Sequence, residues 1–448
     1  MTQMKKLYLK SYGCQMNVRD SEEVTGLLLN QGYTLAKSES QADVILYNTC
    51  SVRSHAEDRV WSNVGALKSL KLERPELIIG VMGCMAKAQR GLIFKRMPHV
   101  DFISGPAQLY EVPELIEAIW EERKPMMAIR EKVRKEFQTI SYHSGKITAL
   151  VTVMEGCNKV CSYCIIPYTR GPEVSRPPDQ IVEEVKRLAG QGYREVMLLG
   201  QNVNSYGKNK SSFDRLRTNG ESTGSGRTVT FPDLLAQVNA ISGIERIRFI
   251  TSHPWDAVEG LFAAMRDLEH VCEHLHLPVQ SGSDRLLEKM RRGYTAQEYL
   301  EKLENLRRAV PKVAVTTDII VGFPGESEED FEATVKLMET AQFDSAFIFK
   351  YSPRPFAAAS RWSDDVPEEV KDRRLKSLLK LQERITSEKA QRLIGETVEV
   401  LVEEPGMGRT RTNKKAYFPA DSVSAGKLIQ VQVEGIRGQS LVGRIADE

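Results

Sequence analysis

The sequence predicts an α/β protein in three parts: an N-terminal parallel α/β domain, a central partial barrel of six β/α units, and a small C-terminal β-barrel. Three observations lead there. Short apolar strands alternate with helical stretches from Lys6 to Glu121, a second such series runs from Thr148 to Lys350, and after Gly395 short alternating strands take over, punctuated by Gly and Pro. Apolar runs separated by helices imply parallel sheets covered on both faces. Short alternating strands without helices imply a barrel or sandwich.

In the first series, Lys6–Lys10 reads as a strand followed by a helix over 21–31. Asp43–Asn48 is a second strand before a helix over 56–72, and Leu77–Met82 a third before a helix over 86–96. A helix over 112–121 closes a first domain of residues 1–125. Charged residues around Pro125 then mark a linker, 126–146, with some strand structure of its own. The second domain, 147–385, offers strands at Thr148–Met154, Glu195–Leu199, Arg246–Ile250, His274–Val279, Ala314–Val321 and Ser345–Lys350. Six β/α units fall short of the eight that close a full barrel. The stretch 206–230 is rich in Gly, Ser, Thr, Asn, Lys and Arg and reads as an exposed insertion. A long helix over 367–393 leads into the last domain, 386–448, whose strands are TVEVLVE, AYFPA, LIQVQVE and SLVGRIA.

Composition narrows the function classes. At 448 residues, with 41% hydrophobic and 27% charged side chains, this is a multidomain globular chain. A net charge of +2 excludes a polycation, so any nucleic-acid surface must be a local patch. The longest apolar run, 77–86, is too short to cross a bilayer, and the N-terminus lacks a signal peptide's apolar stretch. A cytoplasmic protein without a membrane partner is expected, and in that compartment clustered cysteines bind metal or do redox chemistry more often than they form disulfides.

The seven cysteines are Cys14, Cys50, Cys84, Cys157, Cys161, Cys164 and Cys272. CNKVCSYC places three thiols in one loop past the first strand of the second series. Barrel active sites gather at that end of the strands, and three thiolates suit a soft metal centre. A four-iron cluster held by three cysteines rather than four keeps one iron open. The competing reading is zinc, which wants a fourth Cys or His; none follows nearby, and His143 lies before the strand. Cys14, Cys50 and Cys84 are each more than thirty residues apart, yet each falls just past an apolar strand, KLYLK, DVILYN and LIIGVM. Open α/β sheets bind ligands at that edge, and neighbouring strands lie about 4.8 Å apart, so these thiols can converge. Three buried, inert thiols remain the alternative. Cys272, without a partner pattern, is expected in the core.

CNKVCSYC resembles the signature of the radical S-adenosylmethionine (SAM) enzymes. With MEGCNKVCSYCIIPYTRGPEVSRP, YGCQMN, NTCSVR, LLGQNVNSYG, HLPVQSGSD and DIIVGFPGE, nearly the whole chain is similar to the methylthiotransferases of that superfamily. It is nearest to the bacterial branch that makes 2-methylthio-isopentenyladenosine beside the tRNA anticodon. The ribosomal-protein branch carries Pro-Lys after the first cysteine, and the threonylcarbamoyl-adenosine branch carries Lys where Gln15 stands. The resemblance implies two 4Fe-4S clusters, a catalytic one on Cys157, Cys161 and Cys164 that cleaves SAM to a radical, and an auxiliary one on Cys14, Cys50 and Cys84 that carries sulfur. A second SAM would give the methyl group. The resemblance also places Tyr163 by the SAM adenine. An electron donor such as flavodoxin or ferredoxin, a sulfur donor and a monomeric enzyme complete the expectation.

Position at the strand ends makes Gln201, Asn202, Ser252, His253, Gln280, Ser281 and the loop Gly322–Glu326 candidates for SAM or substrate contacts, with loop shaping as their alternative role. For RNA, Arg409, Arg411, Lys414 and Lys415 precede Tyr417 and Phe418, an arrangement of phosphate-binding and stacking groups. A solvated hairpin with core aromatics is the plain alternative; the segment also resembles the TRAM RNA-binding module. Arg291, Arg292, Arg170 and Arg176 are further RNA candidates. The rival classes are a methylthiotransferase for another nucleoside or a ribosomal protein, and a non-catalytic zinc and RNA-binding protein.

Overall fold

The protein is described from a computed structural model, covering residues 4–51, 54–130, 137, 142–208, 228–419 and 423–446. Most of the expected insertion over 206–230 and part of the linker over 126–146 lie outside the described residues. The chain forms two compact units. One comprises Met1–Ser144, Met154–Arg176 and Ser352–Ser360; the other comprises Gly145–Val153, Pro177–Tyr351 and Arg361–Glu448. Both cysteine trios fall in the first unit.

The first unit is built on a parallel six-stranded sheet of β1 (Lys6–Tyr12), β2 (Thr34–Leu35), β3 (Val44–Thr49), β4 (Ile78–Gly83), β5 (Phe102–Ser104) and β6 (Met126–Ala128), in the order β2-β1-β3-β4-β5-β6. Every residue of β3 and β4 is buried, as continuous apolar runs require. Each fully buried aliphatic side chain there contributes about 1.5–3 kcal/mol. Two strands, β2 and β5, lie outside the sequence expectation, while β6 falls in the linker where strand structure was expected. These have only two or three residues each, too few to show a period. Helix α1 (Gln15–Asn30) starts at Cys14 rather than near residue 21. Its first turns carry no apolar stripe because their charges are buried and paired: Arg19 lies 3.2 Å from Glu22 and 3.7 Å from Glu23. It ends at Gly32 (φ +87), where Tyr33 N–H donates to Leu28 O and Gly32 N–H to Leu29 O, a Schellman stop. Helices α2 (Ser54–Glu73), α3 (Cys84–Gln89), α4 (Gly91–Arg96) and α5 (Val112–Glu122) follow. The helix expected over 86–96 is thus two, broken where Arg90 takes φ +35.

The second unit opens with β7 (Thr148–Thr152); the chain then contributes β8 (Met154–Glu155), α6 (Ile166–Thr169) and β9 (Val174–Ser175) to the first unit. It continues with α7 (Pro178–Gly190), β10 (Glu195–Leu199), α8 (Phe231–Asn239), β11 (Arg246–Ile250), α9 (Glu259–Asp267), β12 (His274–His276), α10 (Asp284–Lys289), α11 (Ala296–Ala309), β13 (Ala314–Val321), α12 (Glu328–Ala341), β14 (Ser345–Lys350) and α13 (Glu368–Gln391). Thr230, Thr295 and Ser327 start α8, α11 and α12 with capping boxes. The six strands of the partial barrel are parallel, in two sheets, β11-β10-β7 and β12-β13-β14, linked by a bridge from Ile247 to Val271. The fourth strand is shorter than expected, regular only to His276.

The same unit ends in a closed barrel of β15 (Thr397–Glu404), β16 (Met407–Thr410), β17 (Lys415–Tyr417), β18 (Leu428–Arg437) and β19 (Ser440–Ile445), in the order β15-β16-β17-β19-β18. Val400, Val402, Ala416, Phe418, Val431, Val433 and Leu441 fill it. Two buried arginines of β11 tie it to the partial barrel. Arg246 donates to Glu399 Oε1 at 2.7 Å, and Arg248, paired to Glu195 at 2.8 Å, donates to Thr410 O and Arg411 O.

Candidate active site

Three parallel strands of the first unit deliver Cys14, Cys50 and Cys84 to one sheet edge. Cys14 begins α1 two residues past β1, Cys50 directly follows β3, and Cys84 directly follows β4 and opens α3. Tyr12 pairs with Thr49, and Thr49 with Gly83, so the three strands end in register. Cys50 and Cys84 are both 2% exposed. Two glycines set this closeness. Gly13 (φ +131) has no room for a side chain: a Cβ there would stand 2.3 Å from Cys50 Cβ. Gly83 (φ +92) would put a Cβ 2.2 Å from Asn48 Oδ1. Around the thiols, Cys14 Sγ donates to Asn17 Oδ1 at 3.2 Å, Asn17 Nδ2 to Asn48 Oδ1 at 3.1 Å, and Asn48 Nδ2 to Asn17 O and Ser21 Oγ. The asparagines of YGCQMN and NTCSVR thus bind one cysteine loop to the next.

The thiols also act on one another. A hydrogen bond with Cys50 lowers the Cys14 thiol to about 5, helped by Arg170 and the Asn17 and Met16 backbone against the opposing effect of burial. Burial raises Cys84, and the charge of Arg170 opposes that rise.

Cys157, Cys161 and Cys164 lie between β8 and β9, which pair antiparallel through Met154 with Ser175 and Glu155 with Val174. Cys157 N–H donates to Gly171 O, and Cys164 N–H to Cys161 O. Asn158 and Glu173 exchange hydrogen bonds across the ribbon at 3.3 and 3.0 Å. Gly156 (φ +77) lets the strands close, since a Cβ there would meet Pro172 O at 2.0 Å. Burial pushes the Cys157 thiol up to about 12, with the Lys159 backbone opposing it. Iron binding would remove that proton outright. Tyr163, before the third cysteine, is half-buried. Arg170 and Arg176, weighed from the sequence as RNA contacts, are 4% and 3% exposed; such burial takes them off any RNA surface.

In the second unit several polar strand-end residues hold loops. Asn202 Nδ2 donates to Asp256 Oδ2 at 2.8 Å, and Ser281 Oγ lies 3.3 Å from Thr334 Oγ1. Gln280 (φ +76) bridges to β13 through its backbone. Ser252 and His253 are buried, and Gln201 is half-buried. Glu326 accepts from Gly322 N–H at 2.6 Å and pairs with Arg374 at 2.8 Å, fixing the GFPGE loop.

Comparison with known proteins follows these features. Residues 6–105 match the uncharacterized protein family UPF0004, residues 151–338 the radical SAM superfamily, and residues 391–446 the TRAM domain. The tRNA-2-methylthio-N(6)-dimethylallyladenosine synthase of Protochlamydia amoebophila is 44% identical over 454 residues, covering 99% of this chain and 97% of that protein. The enzyme of the same name from Acetivibrio thermocellus is also 44% identical, covering 99% and 92%. This chain belongs to the tRNA-2-methylthio-N(6)-dimethylallyladenosine synthase family. Among solved structures, the radical SAM methyltransferase TsrM of Kitasatospora setae aligns at a TM-score of 0.56 with 12% identity, covering 90% of this chain and 78% of that one. The cobalamin-dependent radical enzyme OxsB aligns at 0.53 with 13% identity, covering 85% of this chain and 56% of that one. Identities this low show a shared fold.

For a methylthiotransferase of this family, a radical SAM enzyme with four-iron clusters and SAM as cofactors, the donor sets fit. Among the described residues no three Cys, His, Asp or Glu side chains are arranged to hold a single metal ion. At the other end of the chain, the family's TRAM barrel has already committed much of its basic hairpin. Arg411 pairs with Glu273 at 2.8 Å and donates to Glu269 O and Val271 O. Arg409 pairs with Glu403 at 2.9 Å, and Lys414 lies 3.6 Å from Asp344. Lys415 and Tyr417 are exposed, while Phe418 is in the core. In the partial barrel Arg291 is exposed, whereas Arg292 is buried and donates to Pro278 O at 2.6 Å. Cys272 is buried at 1% exposure. Sequence reasoning missed Asn17 and Asn48; adjacency to the cysteine motifs was the only signal they offered.

Proposed function

We propose that this protein is a tRNA methylthiotransferase that converts isopentenyladenosine next to the anticodon into its 2-methylthio derivative. The observation that carries this reading is the delivery of Cys14, Cys50 and Cys84 to one sheet edge by three parallel strands that end in register. When bound, the cluster on Cys157, Cys161 and Cys164 supplies with one SAM a carbon radical able to take hydrogen from adenine carbon 2, and the cluster on Cys14, Cys50 and Cys84 supplies the sulfur, with a second SAM as methyl donor. That aryl hydrogen is not acidic, so no side-chain base could remove it; the chain's task is to hold, orient and exclude water.

The residues divide that task. In the first unit Tyr163 takes the SAM adenine; in the second, Gln201, Asn202, Ser252, Gln280 and Ser281 hold the strand-end loops. Lys415 and Arg291 meet phosphate and Tyr417 stacks on a base, while Arg409, Arg411 and Lys414 hold the hairpin that presents them. An adenosine in a single-stranded anticodon loop costs little to flip out. Flavodoxin or ferredoxin serves as electron donor, a separate protein renews the sulfur, and the enzyme acts as a cytoplasmic monomer. No helix among the described residues is long and apolar enough to cross a membrane.

The test is mass spectrometry of tRNA nucleosides after anaerobic incubation with the protein, SAM and reductant. Loss of isopentenyladenosine with gain of its methylthio form is the expected result. Methylthiolation of threonylcarbamoyl-adenosine or of a ribosomal protein instead, or an unchanged tRNA pool, would overturn it.

A further inference from the structure

Tyr168 and Phe356 stack on each other at the surface of the first unit, with ring centroids 5.9 Å apart and planes 29° from parallel. Tyr168 is 51% exposed and Phe356 47%, and among the described residues no other aromatic pair has both rings exposed. Tyr168 lies on α6, four residues past Cys164, which keeps their Cα atoms within about 14 Å. Phe356 stands in a turn that Ala357 N–H closes by donating to Arg354 O at 3.2 Å. Pro355 takes the second position of that turn and Phe356, at φ +68, the third, where a positive φ calls for glycine. A bulky side chain is strained there. Ala357 and Ala359, just beyond it, are 1% and 0% exposed, so the chain holds an aromatic ring outward between residues that face in.

The segment that carries Phe356 is fastened to both cysteine trios. Ala359 N–H donates at 2.7 Å to the carbonyl of Ser162, between Cys161 and Cys164. Arg354 pairs with Glu57 of α2 at 3.8 Å, and Glu57 accepts from the hydroxyl of Ser51, which follows Cys50. A phenylalanine ring is ordinarily buried, and packing alone gives no reason to strain the backbone and leave this one in water. Every nucleobase has a π-face, and single-stranded RNA is gripped by stacking its bases on such rings. Flipping an adenosine out of a loop strips its neighbour of a stacking partner, and a ring pair tied to both cysteine loops stands ready to replace it.

We propose that Tyr168 and Phe356 form a stacking platform for the RNA base next to the target adenosine. The inference rests on the reading of this protein as a tRNA methylthiotransferase. The platform holds the loop by a ring face, without charge, and so complements the phosphate contacts of Lys415 and Arg291.

The test is fluorescence anisotropy of an anticodon stem-loop RNA containing isopentenyladenosine, titrated with the reconstituted full-length protein. Phe356→Gly and Tyr168→Ala are each expected to bind about tenfold more weakly, with an unchanged salt slope because no phosphate contact is lost. Glycine fits φ +68, so the loss in Phe356→Gly is not a folding defect, and Phe356→Tyr and Tyr168→Phe keep the binding. A stem-loop with an abasic nucleotide on one side of the target adenosine binds the wild type about tenfold more weakly, yet binds Phe356→Gly as the intact RNA does. Wild-type affinity in both ring variants, losses to which the abasic nucleotide adds in full, or a loss that follows the isopentenyl group instead of the neighbouring base would overturn the inference while leaving the proposed function intact. So would normal RNA binding with slowed reduction by flavodoxin, the mark of a docking site for the electron donor. A wild-type protein that does not bind the stem-loop would overturn both.

Discussion

Substituting Gly13 by alanine separates the two clusters' roles without removing a single ligand. Gly13 has φ +131, a region almost closed to residues with a Cβ, and the new methyl would stand 2.3 Å from Cys50 Cβ and 3.1 Å from Cys50 N. The backbone strain costs about 1–3 kcal/mol. Overpacking against the buried Cys50 adds about 1–3 kcal/mol more, and Cys50 directly follows a fully buried strand that cannot retreat. Gly32 provides the control. It too has positive φ (+87), but nothing lies within 4 Å of its added Cβ, so Gly32→Ala carries the strain alone. Against a typical domain stability of about 5–15 kcal/mol, both variants remain folded. The expected outcome is that Gly13→Ala loses auxiliary iron and methylthio product while still forming 5′-deoxyadenosine from SAM, and that Gly32→Ala keeps both activities. Calorimetric melting, iron analysis and product chromatography measure the three quantities. A Gly13→Ala protein with full iron and wild-type methylthiolation would refute the claim that this glycine sets the thiol convergence.

Other outcomes follow from the same geometry. Cys157→Ala is expected to abolish SAM cleavage, whereas Cys50→Ala keeps some cleavage and loses sulfur insertion; equal loss of both activities in both variants would contradict the division. His274 is pushed down to about 3 by burial, with Arg248 and His276 adding to the shift. Its imidazole regains about 6.5 when unfolded, so between those values the unfolded chain binds a proton that the folded chain refuses, and stability falls as pH falls by up to about 1.4 kcal/mol per unit. Urea titrations across pH 7 to 4 should show a shallower decline in His274→Asn than in the wild type. Lys415→Ala should weaken tRNA binding and reduce the salt slope by about 1, while Arg411→Ala should lower thermal stability through the lost Glu273 pair; filter binding at several salt concentrations and calorimetry tell them apart.

The parts of this fold legible in the sequence are those where one physical demand dominates. DVILYN and LIIGVM read as parallel strands because both faces are buried and nearly every side chain is apolar. The first turns of α1 did not read as helix, because Arg19, Asp20, Glu22 and Glu23 are inside, Arg19 paired with Glu22 and Glu23 and Asp20 with Arg170, and periodicity of apolar residues cannot register that. β2 and β5 were too short to show a pattern, and β16 was hidden in the glycine and arginine that precede its turn. The six cysteines of the two trios stood out through motif and position at strand ends. Arg170 looked like any surface arginine, since burial is not written in a one-dimensional string; only the fold shows that it pairs with Asp20 instead of a phosphate. Arg411 likewise has the composition of an RNA contact and the partners of a docking residue. What the sequence could not give is the return of 154–176 and 352–360 to the first unit, which depends on contacts between distant segments.

The most direct measurement is iron and acid-labile sulfide in protein purified without oxygen, for the wild type and for each trio changed to alanine. About eight irons in the wild type, about four in each triple variant, and the broad brown absorbance of four-iron clusters are expected. One or two zincs in a colourless protein, or the loss of all iron when either trio alone is removed, would contradict two independently held clusters.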